Sequence, residues 1–250
     1  MDQNKVDMFI ATMNEKWFLA GFLAAILTYK PQLVIGFILL WVIWKKFYPI
    51  LIFILFSLAW QLSVIITKGI NPYLEYLSLT KNLLYLPYIK EGFPIAIQST
   101  PYALIASVIS INFAPLWNYI YLIIIVLLTA FFGFLVYKNQ KSPNANKNII
   151  LALAILLPLV ISPYSLLHDL LILIPVIILL VTKNSDDRDL SYLAIGVYLS
   201  LLIIPLLSYI SQIALTGLIP LGIFIFIIKR FYGTLGNNLH NNANKPIPLK

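Results

Sequence analysis

Eight stretches of nearly uninterrupted apolar residues leave this chain few ways to fold. They run over Trp17–Thr28, Leu33–Trp44, Pro49–Thr67, Tyr102–Val136, Ile149–Ile161, Leu170–Thr182, Tyr192–Ile210 and Leu215–Ile228. A helix needs about 20 apolar residues to cross roughly 30 Å of hydrocarbon. Pro49–Thr67 and Tyr192–Ile210 meet that length. Of the 250 residues, 61% are hydrophobic and 10% are charged; a soluble domain has about half and a quarter. No soluble core hides this much apolar surface, so the solvent is lipid. The expected fold class is an all-α integral membrane protein, a polytopic helical bundle of about eight membrane segments.

The charges organise these segments. A formal net charge of +8 does not point to nucleic acid, because the cations lie in short tracts between apolar runs, as the positive-inside rule expects. Lys45-Lys46, Lys138/Lys141/Lys147, Lys183–Asp189 and the tail with Lys229-Arg230, Lys245 and Lys250 are expected to face the cytoplasm. The chain then reads as a multi-pass protein of the cell membrane with a cytoplasmic C-terminus. Asp2, Asp7 and Glu15 balance Lys5 and Lys16, which leaves the side of the N-terminus open. Residues 1–16 form a polar segment, 17–230 the membrane domain, and 231–250 an Asn-rich tail expected to be disordered.

Tyr102–Val136 is too long for one span, and Pro115 is expected to divide a short lead-in helix from a span over Trp117–Val136. The outer segment Lys68–Thr100 interleaves Tyr73, Tyr76, Tyr85, Tyr88 and Phe93 with Glu75, Lys81, Lys90 and Glu91. Aromatic rings with polar tips favour the headgroup level, so this segment reads as an interfacial helix with turns at Pro87 and Pro94. No cysteine is present, which excludes disulfides, thiolate metal sites and a cysteine nucleophile. Gly-rich phosphate loops, His/Cys metal spacing and nucleophile elbows are also missing from the sequence. No cofactor is therefore expected and no metal-ligating residues are singled out, with metal dependence left open.

The chemistry lies in two short hairpins. Trp17–Thr28 and Leu33–Trp44 would each reach only about 18 Å at 1.5 Å per residue, and Ile149–Ile161 and Leu170–Thr182 are hardly longer. Their connectors, Tyr29-Lys30-Pro31-Gln32 and Ser162-Pro163-Tyr164-Ser165-Leu166-Leu167-His168-Asp169, concentrate polar groups at or below the outer boundary. Irregular backbone survives there only where it lines a protein cavity or a water-filled recess. Discontinuous helices of this kind build substrate sites in membranes.

Lys30 also admits a plain reading, since its ammonium can snorkel to the interface. A central Lys costs about 2.5–3.5 kcal/mol on the insertion scale, and each flanking Leu or Ile returns roughly 0.3–0.6. In the second connector, a helix resuming near Ser165 would put Tyr164 and His168 on one face and Ser165 and Asp169 on the next. His168 and Asp169 would diverge by about 100° and not pair with each other. Asp169 is then either a helix-start dipole partner or a partner of Lys30. Lys30 as a point charge and His168 as a proton-exchanging donor suit a phosphate or pyrophosphate group. A lipid-linked phosphosugar and a transported anion fit equally.

The stretch Ala20-Gly21-Phe22-Leu23-Ala24-Ala25-Ile26-Leu27-Thr28-Tyr29-Lys30-Pro31-Gln32 resembles the "AG…alxxKPQ" segment of glycosyltransferase family 87. Ser162 to Asp169 is similar to that family's "SPHxYxxD" segment, with Tyr164 where a family His is common. Gln98-Ser99, followed by an apolar helix, resembles a third, weaker feature. The resemblance covers roughly residues 17–182 and implies a GT-C-like transmembrane portion that transfers a hexose, with mannose the expected sugar, from a polyprenyl-phosphate donor at the outer leaflet. It implies substrate contacts from Lys30, Gln32, Gln98, Ser162, Tyr164, His168 and Asp169. Of these, Lys30 would bind donor phosphate, His168 would hydrogen-bond phosphate or acceptor, and Asp169 would orient the site; His168 and Asp169 are the catalytic candidates. The family places its catalytic carboxylate in a first outer loop that nothing here matches, so the resemblance is to a C-terminal half, and a second membrane chain would supply the rest. The implied partners are membrane lipids and the polyprenyl-linked sugar. A transporter or flippase of a phosphorylated lipid or anion, and a non-catalytic subunit or pseudoenzyme, are the alternatives.

Overall fold

The computed structural model of the chain describes residues 11–12, 14–83, 98–141, 147–181 and 188–243. Ten α-helices follow one another there: α1 (Trp17–Ile26), α2 (Ile35–Ile43), α3 (Phe47–Lys68), α4 (Asn71–Leu83), α5 (Pro101–Ala106), α6 (Ala114–Gln140), α7 (Lys147–Ile161), α8 (Leu173–Val181), α9 (Arg188–Ser211) and α10 (Leu218–Ala243). Short 3-10 turns at Leu27–Tyr29, Pro31–Val34, Ile111–Phe113, Leu167–Ile172 and Leu215–Gly217 join several of them. Hydrocarbon offers the backbone no hydrogen-bond partners, so each apolar run must satisfy its own N–H and C=O groups as helix. The described residues accordingly contain no strand beyond one isolated bridge.

Four helices are long and apolar enough to cross a membrane: Phe47–Lys68, Ile111–Gln140, Tyr192–Ser211 and Leu215–Tyr232. Four more apolar helices are shorter: Trp17–Ile26, Gln32–Ile43, Lys147–Ile161 and Leu167–Ile178. The chain is thus a helical membrane protein. The long and short helices divide the labour in an inverted way. Only 6% of the α3 span is buried inside the protein, whereas every residue of α7 from Ile149 to Ile161 is buried. α7 packs against α2, α6, α8 and α10 and is the axis of the core. The long helices present Leu, Ile and Phe outward, as lipid-facing helices do.

Small residues set the closest crossings, a common device where lipid leaves little hydrophobic drive between helices. A Cβ on Gly21 would lie 2.3 Å from the Pro49 carbonyl oxygen, where α1 meets α3. One on Gly36 would lie 2.0 Å from the Ala154 carbonyl oxygen, where α2 crosses α7.

Tyr121 on α6 fastens the end of α7. Its hydroxyl lies 3.0 Å from the Val160 carbonyl oxygen and 3.1 Å from that of Ser162, carbonyls that the ending helix leaves without intrahelical partners. Tyr121 itself packs on Tyr102 of α5, with ring centroids 4.7 Å apart. Tyr121→Phe keeps the ring and orphans both carbonyls, and is expected to destabilise the fold by about 1–3 kcal/mol. Thermal unfolding in detergent checks this as a fall in Tm with unchanged helix content.

The two ends of the bundle differ in charge. Glu15 and Lys147 approach to 3.6 Å, Lys46 lies 5.1 Å over the Trp17 ring, and Lys138 lies 5.0 Å over the Tyr232 ring. The start of α1 therefore shares one end with the cation tracts. Lys30 and the Ser162–Asp169 connector lie at the other ends of the helices that carry them.

The expected break at Pro115 is present: α5 ends at Ala106, and α6 starts at Ala114 with Pro115 in its first turn. Within Lys68–Thr100 a helix forms over Asn71–Leu83, and the Tyr73 hydroxyl bonds the side-chain oxygen of Gln61 on α3. Tyr85, Pro87, Tyr88, Lys90, Glu91, Phe93 and Pro94 lie outside the described residues, as do residues 1–10 and 182–187. At the other terminus helix α10 runs on to Ala243, where sequence composition suggests disorder after Tyr232. Helical propagation from an anchored span adds one backbone bond per residue without a new nucleation cost.

Candidate functional site

Pro31 determines how Lys30 is presented. The residue before a proline avoids the helical region, and Lys30 has φ −132° and ψ 76° between two 3-10 turns. The helix is broken there, and the ammonium is carried to the connector of the second hairpin. Lys30 Nζ lies 2.6 Å from Asp169 Oδ1 and 3.1 Å from His168 Nε2.

Asp169 is held from several sides. Its Oδ2 accepts from the Ser165 hydroxyl at 2.9 Å and from the Leu166 N–H at 3.0 Å, the second being the reach-back of a carboxylate in the first turn of a helix. Burial by itself would raise the Asp169 carboxyl. The Lys30 hydrogen bond, the Leu166 N–H, the Lys30 charge and the Ser165 hydroxyl outweigh burial and hold it below the ordinary carboxylate range. Asp169 is thus an ionised, buried anchor with both oxygens engaged. His168, by contrast, is 61% exposed and lies beside the same ammonium.

Two sequence expectations change here. The helix resumes at Leu167, as a 3-10 turn, and not near Ser165. Tyr164 therefore lies outside it and does not share a helix face with His168. His168 and Asp169 do not diverge to separate partners; His168 Nε2 is 3.6 Å from Asp169 Oδ1, because both side chains reach back to one ammonium. The expected proximity of Ser165 and Asp169 is realised as a hydrogen bond.

The third segment joins through its backbone. Gln98 forms an antiparallel bridge with Leu166. The Ser99 N–H bonds the Ser165 carbonyl at 2.9 Å, and the Ser99 hydroxyl bonds that of Leu166, also at 2.9 Å. The Gln98 side chain is fully buried, and neither its Oε1 nor its Nε2 has a partner among the described residues. An unpaired buried carboxamide is destabilising by about 1–3 kcal/mol per group, which bonding to a ligand hydroxyl or a water offsets. Ser162 has a local role: its hydroxyl donates to the Tyr164 carbonyl at 2.6 Å and accepts from the Tyr164 N–H at 3.2 Å. Tyr164 is half-buried, and burial, with the negative Asp169 adding to it, pushes its phenol above its ordinary value. Gln32 is half-buried in the turn after Lys30, and among the described residues no side-chain hydrogen bond joins it to the cluster.

A fourth element was not singled out from sequence. The Thr216 hydroxyl bonds the Gln98 carbonyl. A Cβ on Gly217 would lie 2.2 Å from the Thr100 carbonyl oxygen, so the turn Leu215–Gly217 packs directly on the third segment. The available signal was the short uncharged break over residues 211–214 between two apolar runs, with Ser208 and Thr216 just inside their ends; it stands out less than the charged hairpin tips. Among the described residues no group of three metal-ligating side chains is assembled. The site joins one exposed imidazole to a part-buried Lys30–Asp169 ion pair, with a buried carboxamide nearby on the adjoining strand bridge. Comparison with family models, curated proteins and solved structures returned no match, so the chemistry of this site rests on its own residues.

Proposed function

We propose that this chain is a GT-C-like membrane glycosyltransferase, or the donor-binding part of one, that holds a polyprenyl-phosphate-linked hexose at the end of the bundle carrying Lys30. The observation that supports this reading is the convergence of three separate segments, each resembling family 87, on one cluster: Lys30 meets Asp169 at 2.6 Å, and Gln98 bridges Leu166. An ammonium has three donors, and Asp169 and His168 occupy two of them. The third is offered to a donor phosphate oxygen, while Asp169 fixes the direction of the ammonium. The Gln98 carboxamide presents a donor and acceptors of the kind that sugar hydroxyls match.

In transfer, the acceptor hydroxyl oxygen attacks the anomeric carbon, the bond from that carbon to the phosphate oxygen breaks, and lipid phosphate leaves with the electron pair. The hydroxyl proton passes to a base. Asp169 is engaged at both oxygens and acts as a positioning residue. The proton then goes to a carboxylate from a second membrane chain, or to His168 Nε2 once that nitrogen has exchanged its contact with Lys30 for the acceptor hydroxyl. The engaged carboxylate favours one second reading, a donor-binding subunit without transfer activity of its own.

The test is binding and transfer of radiolabelled polyprenyl-phosphate mannose and glucose by the purified chain in lipid nanodiscs. Wild type is expected to bind, and Lys30→Ala to weaken binding about tenfold or more, the scale of a lost charged hydrogen bond. His168→Ala is expected to reduce transfer more than binding. Binding without transfer assigns the chain to the subunit reading. No binding by folded wild type rejects the lipid-sugar assignment.

A further inference from the structure

At the opposite end of the bundle from Lys30, a cavity of about 270 Å³ opens between the start of α1, the turn from α2 to α3, and the neighbouring ends of α6 and α7. Thr12, Glu15, Trp17, Lys46, Gln140 and Lys147 are among its walls. Two ammonium groups and one carboxylate surround it, which leaves a positive balance. Lys147 and Glu15 are 3.6 Å apart and both about 60% exposed. Exposed pairs of this kind contribute little, so Lys147 is readily redirected to a stronger anion. Lys46 is held over the Trp17 ring, a cation–π contact that keeps its charge at the cavity.

One group in the wall lacks a partner. Thr12 is 2% exposed, and its hydroxyl has no hydrogen-bond partner among the described residues. Thr12 lines the cavity, and a buried hydroxyl without a partner is a donor for an oxyanion that reaches it. We propose that this cavity binds the phosphate of an anionic phospholipid headgroup, with Lys46 and Lys147 matching its charge and the Thr12 hydroxyl bonding one of its oxygens.

Three features favour a lipid over a soluble phosphate. Trp17 and Trp44 both line the cavity, and indoles sit preferentially at headgroup level. Basic pockets between membrane helices on the positive side of a protein suit anionic headgroups. The volume is below the roughly 300–1,000 Å³ of pockets for drug-sized molecules, which fits a headgroup whose acyl chains stay in the bilayer. The inference is independent of the glycosyltransferase reading and concerns the other end of the molecule.

The experiment uses the full chain, delipidated in neutral detergent. Retention of short-chain phosphatidylglycerol, phosphatidylcholine and inorganic phosphate is followed by native mass spectrometry, together with Tm. Phosphatidylglycerol is expected to bind at one site and raise Tm, and phosphatidylcholine to do neither. Lys46→Gln combined with Lys147→Gln is expected to weaken phosphatidylglycerol binding about tenfold or more, since two charged hydrogen bonds are lost. Thr12→Val is expected to weaken it several-fold while leaving the lipid-free Tm unchanged. Lys229→Gln with Arg230→Gln removes two charges outside the cavity and is expected to leave binding intact. An equal loss in both double variants would show general attraction to a basic surface and overturn the site. Displacement of the lipid by equimolar inorganic phosphate would overturn the assignment to a lipid.

Discussion

Asp169→Ala is expected to destabilise the folded chain by about 3–5 kcal/mol, the scale of breaking a buried ion pair from one side. The loss has two parts. Lys30 keeps its charge without a counter-ion, and the Ser165 hydroxyl and the Leu166 N–H lose their acceptor. The Lys30 side chain retains 22% exposure, so partial rotation toward solvent places the effect near the lower figure. Combining Lys30→Met with Asp169→Asn removes both charges and retains a side-chain oxygen for the Leu166 N–H. That double variant is expected to recover most of the stability, since neutral replacement of a buried pair is often harmless, while losing the proposed phosphate binding with the ammonium. Equilibrium unfolding in mixed micelles reads the stability of each variant. Wild-type stability in Asp169→Ala would mean that the ion pair does not hold the two hairpins together.

Gly36→Ala is expected to have the other large effect. The added methyl would stand 2.0 Å from the Ala154 carbonyl oxygen and 2.8 Å from its carbon. Both atoms are backbone in the middle of a buried helix, so no side chain can rotate away. Overpacking commonly costs about 1–3 kcal/mol and occasionally more, and a backbone-to-backbone clash belongs at or above the top of that range. α2 must move off α7, and Lys30, one short turn before α2, moves with it. Loss of Tm and loss of ligand binding are therefore expected together. Gly133→Ala is the matched control: its nearest neighbour is the Ile43 Cδ1 at 3.7 Å, an ordinary contact, and its stability is expected to match wild type.

The membrane class and the position of the helices were legible because apolar runs and proline breaks act locally. Pro115 at the start of α6 and Pro31 at the break before α2 are examples. The pairing of Lys30 with Asp169 was one of the two roles open to that carboxylate, and Asp169 takes both, bonding Lys30 with one oxygen and the Leu166 N–H with the other. The central position of α7 was not legible. A helix that is apolar all round gives the same periodicity whether protein or lipid surrounds it, and Ala154 reveals its purpose only beside Gly36. The 3-10 geometry after Leu166 was equally hidden, since it depends on the Gln98 bridge and on the side chains that gather around Asp169. Thr216 was missed because an uncharged hydroxyl near the end of an apolar run has no spacing signature of its own.

The full enclosure of α7 has a consequence for how the protein meets bilayers of different thickness. Hydrophobic mismatch acts on surfaces that touch acyl chains, and membrane helices accommodate it by tilting or by deforming the bilayer around them. In this chain α3, whose span is only 6% buried, presents the lipid-facing surface on which that adjustment acts. Over Ile149–Ile161, α7 touches only protein, and its length is matched to its neighbours and not to the hydrocarbon. The connector that holds Asp169 is thereby mounted on an element insulated from the thickness of the membrane around it.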